Sequence, residues 1–229
     1  WSPYHGAAYA VVDACAKVVA AGARYDNMRF SYQEYFERMT DAKSWGKPLA
    51  ALLGALKMQV EFGLPSIGGK DSMSGTFRDI NVPPMLMAFG ITTVDARNVI
   101  SPEFKESGHN IYVVRHTPTE NYMPATDQLK DNFDFVADKI LSGDIVAGYA
   151  VGFGGVAEAV AKMSFGNKIG AVLECDEQML YNLSYGSIVV ESRRTLNHPS
   201  AELIGKTVAE EAIFVNGTRL PLEELLEAN

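Results

Sequence analysis

The run PSIGGKDSMS, residues Pro65–Ser74, determines how this chain is interpreted. It follows a predicted strand, and we expect Gly68–Ser74 to form a loop of small and polar residues. Two glycines after a strand let backbone N–H groups approach a phosphate, and Lys70 adds a positive charge. Asp71 can hold Mg²⁺ directly or through water, while Ser72 can hydrogen-bond a phosphate or sugar oxygen. The spacing is not that of a P-loop, and a polar hairpin with glycines placed for turn geometry explains the composition equally well.

The composition is that of an ordinary globular protein, with 229 residues, 47% hydrophobic and 21% charged. A net charge of −8 without a basic run argues against nucleic acid or an anionic membrane as the main partner. Nucleotides remain compatible, because phosphates are held by local groups. No apolar run reaches the ~20 residues of a membrane span, and no signal peptide is recognised. The chain begins with Trp1 rather than Met, so we expect a segment of a larger protein.

The cysteines and histidines do not form a recognisable metal site. Cys15 and Cys175 lie among apolar residues and are predicted to be small core residues, which favours a reducing, cytoplasmic location. The four histidines are scattered without metal-ligand spacing, and surface or local hydrogen-bonding roles are favoured. A group of aromatic residues is spaced like a packing face, which favours a core or interface over ligand stacking: Phe30, Tyr32, Tyr35 and Phe36.

Periodicity and turn residues predict alternating helices and strands. In the first half they are a helix over His5–Ala21 ending at Gly22, a loop with a short helix over Tyr25–Trp45, a helix opening near Pro48 and ending at Gly63, and strands at Leu64–Ile67, Met85–Val94 and Ile111–Val114. In the second half they are helices at Phe133–Leu141, Gly154–Phe165 and Pro221–Ala228, and strands at Ile169–Glu174, Ser187–Glu191, Leu203–Val208 and Ala212–Val215, with a short helix before Ser187 and a turn at Asn216–Gly217.

A shift to Pro, Thr, Asn and Asp over Thr117–Asp131 predicts a domain boundary, with domains at 1–117 and 118–229. Several connections are too short for crossovers. The predicted fold class is therefore α+β, in two domains, with mostly antiparallel or mixed sheet.

The run ending in Gly69–Ser74 resembles the Gly-Lys-Asp-Ser-Met-Ser signature of the phosphoribosylformylglycinamidine (FGAM) synthase family. Other segments match the family in the same order along nearly the whole chain: Tyr4–Val12, Asp26–Phe30, Gly154–Phe165, Leu203–Lys206 and Pro221–Leu225. Five ordered matches make chance agreement a poor explanation.

The resemblance implies an aminoimidazole ribonucleotide (AIR) synthase-like unit, with a barrel-forming N-terminal α/β domain and a C-terminal α/β domain. It implies an ATP-dependent carbon–nitrogen ligase of purine biosynthesis that converts formylglycinamide ribonucleotide to the amidine, using ATP, Mg²⁺ and ammonia from glutamine. This chain would be the second half of the synthetase region. Its partners would be the first half, which carries the catalytic histidine, and the glutaminase domain with its cysteine nucleophile. No catalytic residue is therefore assigned to this chain.

Five residues are carried over from the family one position at a time. Asp26 falls where the family has an Asp or Asn contacting nucleotide or metal. Gly69 and Lys70 fall in the loop near ATP, Ser72 falls near the substrate phosphate, and Asp71 is a Mg²⁺ neighbour by chemistry.

The chain also departs from the family pattern. Where many members have His-Asp-x-Ser-Asp-Gly-Gly, Tyr149–Gly155 reads YAVGFGG and both carboxylates are missing. Gly22 stands where some large members carry Glu. A hard cation needs such oxygen ligands, so we expect the family's auxiliary, non-catalytic nucleotide site to be degenerate here.

Two other interpretations remain open: a non-catalytic scaffold half that contacts no nucleotide, and a related enzyme such as AIR synthetase or selenophosphate synthetase. Under the leading interpretation the isolated chain should lack activity, since catalysis needs groups from both halves. It should also expose apolar surface that the other half covers, and form a homodimer that mimics the paired halves.

Overall fold

The computed structural model describes residues 2–229, which form a three-stranded sheet, a seven-stranded sheet, a short two-stranded hairpin and six α-helices. The helices are α1 (Pro3–Ala20), α2 (Ala42–Phe62), α3 (Thr126–Leu141), α4 (Gly155–Phe165), α5 (Glu177–Tyr181) and α6 (Leu222–Ala228). The strands are β1 (Arg29–Tyr35), β2 (Ser66–Ser72), β3 (Thr76–Phe77), β4 (Ile80–Asn81), β5 (Met85–Ile91), β6 (Asn110–Val114), β7 (Ile145–Ala150), β8 (Gly170–Leu173), β9 (Ile188–Ser192), β10 (Ala201–Val208), β11 (Ala212–Val215) and β12 (Thr218–Pro221).

The first sheet has three strands in the order β2-β1-β5, with β1 parallel to β2 and antiparallel to β5. Helix α1 packs against β5 and against α2, so the two helices cover one face of this sheet. Ser2 begins α1, because its side chain accepts a hydrogen bond from the backbone N–H of His5. The other face of the sheet is not covered by any part of the chain that the structure describes.

Two sequence predictions in this region are wrong. The residues predicted as loop with a short helix include β1, whose burial alternates along the strand, with Phe30, Tyr32 and Glu34 on the buried side. The predicted loop from Gly68 onward is mostly β2. Its glycines and polar residues have low strand propensity, but pairing with β1 supplies the hydrogen bonds that hold them extended.

The start of the second helix was also predicted too late. Helix α2 begins at Ala42, because Asp41 and Ser44 form a capping box. Pro48 therefore lies inside the helix, and not in its first turn as predicted. The predicted end is confirmed: Gly63 adopts the left-handed conformation that closes the helix, with φ 71°.

The second sheet has seven strands in the order β12-β11-β8-β10-β6-β9-β7, with β11 and β8 parallel and the other pairs antiparallel. It is buried on both faces around β6. Tyr112 and Val114 belong to a core cluster with α1 and α3, whereas Ile111 and Val113 belong to a second cluster with α4. The predicted mixed sheet is confirmed, and β7 and β12 were not predicted.

The two sheets share the core cluster that contains α1, so no break in packing separates them. Strand β6 lies in the middle of the second sheet, which places the change from one sheet to the other between Ile91 and Asn110. The boundary between residues 117 and 118 stays a prediction.

Most of the remaining elements are close to their predicted positions, but helix α3 begins at Thr126 rather than at the predicted Phe133. Helix α1 ends at Ala20, and Gly22 follows with a positive φ of 97°. Cys15 is buried, Cys175 is half-buried, and both are free thiols. No helix within residues 2–229 is long and apolar enough to cross a membrane.

Candidate functional site

The parallel pairing of β1 with β2 positions the sequence-predicted site residues. In register, Tyr32 faces Gly69, Gln33 faces Lys70, Glu34 faces Asp71 and Tyr35 faces Ser72. Paired residues on adjacent strands project to the same side of a sheet, so Lys70 and Ser72 share the outer side while Asp71 shares the inner side with Glu34. The structure thus brings Gly69, Lys70, Asp71 and Ser72 together on one exposed edge strand.

Gly69 is required by the closeness of β1. A Cβ atom at this position would lie 2.6 Å from the carbonyl oxygen of Tyr32, a separation that side chains essentially never adopt. The adjacent Gly68 has open space around it. Gly69 is therefore needed for strand pairing, whether or not it also approaches a ligand.

Lys70 is oriented by an aromatic ring. Its Nζ lies 3.9 Å from the centre of the Tyr35 ring, a cation–π contact on the outer side of the sheet. The same side carries apolar residues of β5 that are 41–56% exposed: Met85, Met87, Phe89 and Ile91. A positive charge, a hydroxyl and an uncovered apolar stripe therefore lie on one face, referred to below as the outer sheet face.

The inner side holds a carboxylate pair that the sequence analysis missed. Glu34 is only 4% exposed, and its Oε1 atom has no hydrogen-bond partner. Burial, and then the charge of Asp71, raise the pKa of Glu34 to about 7. Glu34 falls on the buried side of an alternating strand pattern formed by Phe30, Tyr32, Glu34 and Phe36. This alternation is the sequence signal from which its burial could have been predicted.

This pair fits part of a Mg²⁺ site. Mg²⁺ is usually held by one or two carboxylates together with water and substrate phosphates, and an unpartnered buried oxygen beside an exposed Asp supplies that donor set. Within residues 2–229 no group of three or more His, Cys, Asp or Glu side chains is gathered in a way that could hold a metal. Further ligands would therefore come from phosphate, water or another polypeptide.

Asp26 is not part of this group. It precedes the amino-terminal end of β1, whereas Lys70 and Ser72 pair near the opposite end of that strand. Asp26 lies 3.5 Å from the guanidinium of Arg24, which also contacts Asp134 and Asp138 on α3. In this structure Asp26 belongs to a surface ion-pair network between the start of β1 and α3.

The amino terminus of α4, at the second glycine-rich segment of the sequence, carries an internal anion. The backbone N–H of Gly154 donates to the Glu158 carboxylate at 2.8 Å, and Lys162 lies 2.6 Å from the same carboxylate. These bonds, first to Lys162 and then to Gly154, lower the pKa of Glu158. No other residue fits in place of Gly155, because its φ is 69° and a Cβ would lie 2.4 Å from the carbonyl oxygen of Leu180.

A cavity of about 300 Å³ separates the end of α1 from β7. Its lining includes Lys17, Ile100, Tyr149 and Gly152, and no carboxylate of the described chain lines it. Gly22, nearby on the loop after α1, cannot carry a side chain, since a Cβ would lie 2.2 Å from the carbonyl oxygen of Asn98. The lining of this cavity therefore offers no carboxylate in place of the oxygen ligands that the sequence lacks.

The chain is similar to known proteins both in sequence and in fold. No family model matches it. The FGAM synthase subunit PurL of Methanocaldococcus jannaschii is 25% identical over 259 residues, covering 97% of this chain. The corresponding subunit of Thermoplasma acidophilum is 26% identical over 193 residues, covering 73% of this chain. The chain is similar to PurL, as the sequence predicts. It covers only 34% and 24% of the lengths of these two relatives.

Solved structures confirm the predicted fold. Thermotoga maritima PurL complexed with AMPPCP has a TM-score of 0.73 at 15% identity, covering 98% of this chain and 41% of that chain. Thiamine monophosphate kinase from Aquifex aeolicus has a TM-score of 0.66 at 14% identity, covering 96% of this chain and 83% of that chain. At these identities the likeness shows only a common fold, the AIR synthase-like α+β unit. It does not show a shared activity.

Proposed function

We propose that this chain is one half, the second, of the synthetase region of an FGAM synthase. The whole enzyme would be an ATP-dependent carbon–nitrogen ligase of purine biosynthesis, converting formylglycinamide ribonucleotide to the amidine with ammonia released from glutamine. The chain would contribute one wall of a nucleotide site and no catalytic residue. Similarity to PurL over nearly the whole chain supports the family, and the outer sheet face supports the role.

The observation that carries this proposal is the position of Lys70 and Ser72 on the outer sheet face. They lie on the same side as Met87 and Phe89, which are large, apolar and uncovered. Exposed apolar strips of this kind mark surfaces that another protein covers. A partner seated on the β5 stripe would bring its own groups beside Lys70 and Ser72, so the site would be composite.

The proposed roles follow from chemistry and position. Gly69 and Lys70 would lie against nucleotide phosphates, and Ser72 would hydrogen-bond a phosphate of the substrate. Asp71 and Glu34 lie on the inner side of the sheet, so the Mg²⁺ that they would help to hold would meet the phosphates at the exposed edge of β2 and neutralise their charge there. Asp26 lies at the other end of β1, so any contact it makes with nucleotide or metal would belong to a separate part of the site.

Calorimetric titration with Mg-ATP and Mg-ADP tests this proposal. We expect Asp71→Ala to lose binding that the unaltered chain shows, while Asp79→Ala, an exposed aspartate eight residues further on, retains it. If the isolated chain binds neither nucleotide, the titration is repeated after addition of the first half. Binding that appears only then supports a composite site. Absence of binding in both settings, or equal binding by the Asp71→Ala variant, contradicts the proposed wall.

The scaffold interpretation is favoured only at the second glycine-rich segment. Because Glu158 already occupies the Gly154 N–H, we propose that the auxiliary nucleotide site of the family is degenerate in this chain. Ordered Mg-ADP against Gly154 and Gly155 in a crystal of the whole enzyme would contradict this.

The assembly follows from the same reasoning. In the cell the partners would be the first half of the synthetase region and a glutaminase, and the location would be the cytoplasm. The isolated chain would lack synthetase activity, and two copies would pair through their outer sheet faces in place of the absent half.

A further inference from the structure

Helix α2 carries an exposed apolar surface on the side that faces away from α1. One side of the helix is buried through small residues such as Ala51 and Ala55. The opposite side presents six large apolar side chains that are 46–72% exposed, called here the α2 stripe: Trp45, Leu49, Leu52, Leu53, Leu56 and Val60. At 3.6 residues per turn they fall within an arc of about 100°, which is the width of a core-facing surface.

The α2 stripe is unusual for a solvent-facing helix surface. Within the helical arc that it occupies, α2 presents no charged residue; Lys43 and Lys57 lie outside that arc. Six large side chains exposed by about half give a patch of roughly 600 Å², the upper end for the largest patch on a typical monomer. An amphipathic helix buries such a stripe against another element, and no described residue of this chain covers it.

The spacing along the stripe is self-complementary. Trp45, Leu49, Leu52 and Leu56 are separated by four, three and four residues, which is the seam spacing of paired helices. If two copies of α2 run antiparallel, Leu52 of one faces Leu53 of the other. The same alignment sets Trp45 opposite Val60 and Leu49 opposite Leu56, because the residue numbers in each pair add to the same total.

This symmetry indicates the kind of partner. In a two-fold interface every residue contacts its counterpart reciprocally, so a surface that pairs with itself in one alignment fits a second copy. The charged residues of α2 lie outside the arc of the stripe, so this alignment opposes no charges within the interface: Lys43, Lys47, Lys57 and Glu61. With neighbouring residues included, the patch approaches the ~800 Å² per partner of a standard interface.

We propose that the α2 stripe is a homodimerisation surface, on which two copies of this chain pair their α2 helices antiparallel about Leu52 and Leu53. This interface is separate from the outer sheet face, and the proposal does not depend on the function proposed above.

The test first removes the other candidate interface. The substitution Met87→Glu places a charge on the outer sheet face, and the oligomeric state is then measured by light scattering over a range of concentrations. We expect a dimer in this background. Adding Leu52→Glu, or separately Leu53→Lys, should give a monomer, because each puts an unpaired charge at the centre of the helix pair.

The paired substitution Leu52→Glu with Leu53→Lys tests the alignment itself. The introduced glutamate of one copy then faces the introduced lysine of the other, so the dimer should return, with a dissociation constant at least tenfold below that of either single variant. Leu141→Glu, which changes an exposed leucine on α3, is the control and should leave the dimer unchanged. Circular dichroism of every variant checks that the chain remains folded.

Three results would overturn the proposal. A monomer in the Met87→Glu background would mean that the outer sheet face alone pairs, or that a segment of a longer polypeptide covers α2. A dimer that survives Leu52→Glu would remove the α2 stripe from the interface. A paired variant that stays monomeric and folded would exclude the antiparallel alignment about Leu52 and Leu53.

Discussion

Glu34 on β1 and Asp71 on β2 lie side by side, in register, on the inner side of a parallel strand pair. Asp71 is exposed, whereas Glu34 is buried and one of its oxygens has no partner. Burial of a charged carboxylate without compensating hydrogen bonds lowers the free energy of unfolding. A second carboxylate beside it lowers that free energy further through like-charge repulsion. The chain retains this arrangement at the edge of the proposed nucleotide site.

We expect Glu34→Gln to stabilise the fold at pH 8. The pKa of Glu34 is raised to about 7, so the charge penalty is absent below the unfolded value of 4.5 and fully present above about 7. The gain in free energy of unfolding should be about 1–3 kcal/mol at pH 8 and small at pH 4.5, measured by urea denaturation. Glu120→Gln, on an exposed loop, is the control. A loss of stability at pH 8 would show that Glu34 has a partner in solution.

The same variant should bind Mg-nucleotide more weakly if Glu34 supports Asp71 in holding the ion. The titration described above, applied to Glu34→Gln, checks this. Stability gained together with affinity lost is the pattern expected where a strained group serves a site.

His116 should make stability depend on pH near neutrality. Its Nδ1 donates to the carbonyl of Tyr185 at 2.8 Å, and its Nε2 accepts from the N–H of Ala125 at 3.0 Å, so both ring nitrogens are used by the neutral form. Burial lowers the pKa of His116 below 6.5. Protonation would set an N–H of the ring against the N–H of Ala125.

The stabilisation that neutral His116 contributes is therefore fully present above its pKa in the unfolded chain, about 6.5. It is lost as the pH falls toward the lower pKa of His116 in the folded chain. The slope can reach about 1.4 kcal/mol per pH unit, with stability rising as pH rises, since the unfolded chain binds the additional proton. His116→Gln should be less stable at pH 8 and should lose this component of the slope. Urea titrations of both proteins from pH 5 to 8 measure it, and parallel curves would contradict the prediction.

Gly155→Ala should destabilise the chain more than Gly217→Ala. Both glycines have positive φ, 69° and 88°, so alanine is strained at each by about 1 kcal/mol. Only at Gly155 would the added Cβ also meet backbone, 2.4 Å from the Leu180 carbonyl oxygen, whereas nothing lies within 4 Å at Gly217. We expect a total loss of about 2–4 kcal/mol at Gly155, measured by thermal or urea unfolding. Equal losses of stability at the two positions would mean that the backbone at Leu180 shifts to accommodate the added Cβ with little energetic penalty.

Glu158→Ala should cost about 1 kcal/mol, the usual net contribution of one intramolecular hydrogen bond. The lost contacts are the bond from the Gly154 N–H to the carboxylate and the ion pair with Lys162. Lys162→Ala removes only the partially exposed ion pair and should cost less. Unfolding titrations of the two variants, run side by side, separate the hydrogen bond to Gly154 from the ion pair. A larger effect of Lys162→Ala would reverse this ranking.

Elements with strong local signals were predicted well from the sequence. Helix α4 is one example, because an apolar period and flanking glycines coincide between Gly155 and Phe165. Strand β5 is another, since a short apolar run directly follows two prolines. In both, neighbouring residues alone favour the structure that forms.

Strands β1 and β2 could not be predicted in the same way, because each depends on the other. Gly68 to Ser72 form a strand only where β1 offers its hydrogen-bonding edge, and sequence patterns do not report such pairing over some 40 residues. Glu34 also made β1 difficult to predict, because a carboxylate on the buried side of the strand interrupts the alternation of apolar residues. For the same reason the site residues Lys70, Asp71 and Ser72 could be named from the sequence, but their division between two faces of a sheet could not.

Strand β6 also imposes an order on folding. Its partners in the sheet are β9 and β10, which begin at Ile188 and Ala201, so both neighbours lie far along the chain from Asn110. During synthesis the three-stranded sheet can close soon after Ile91 is made, while β6 must wait for most of the remaining chain. Until then its apolar residues, from Ile111 to Val114, are exposed to other nascent chains, and long-range pairing of this kind is slow. The centre of the larger sheet is therefore the part of the molecule most in need of chaperone protection before the chain is complete.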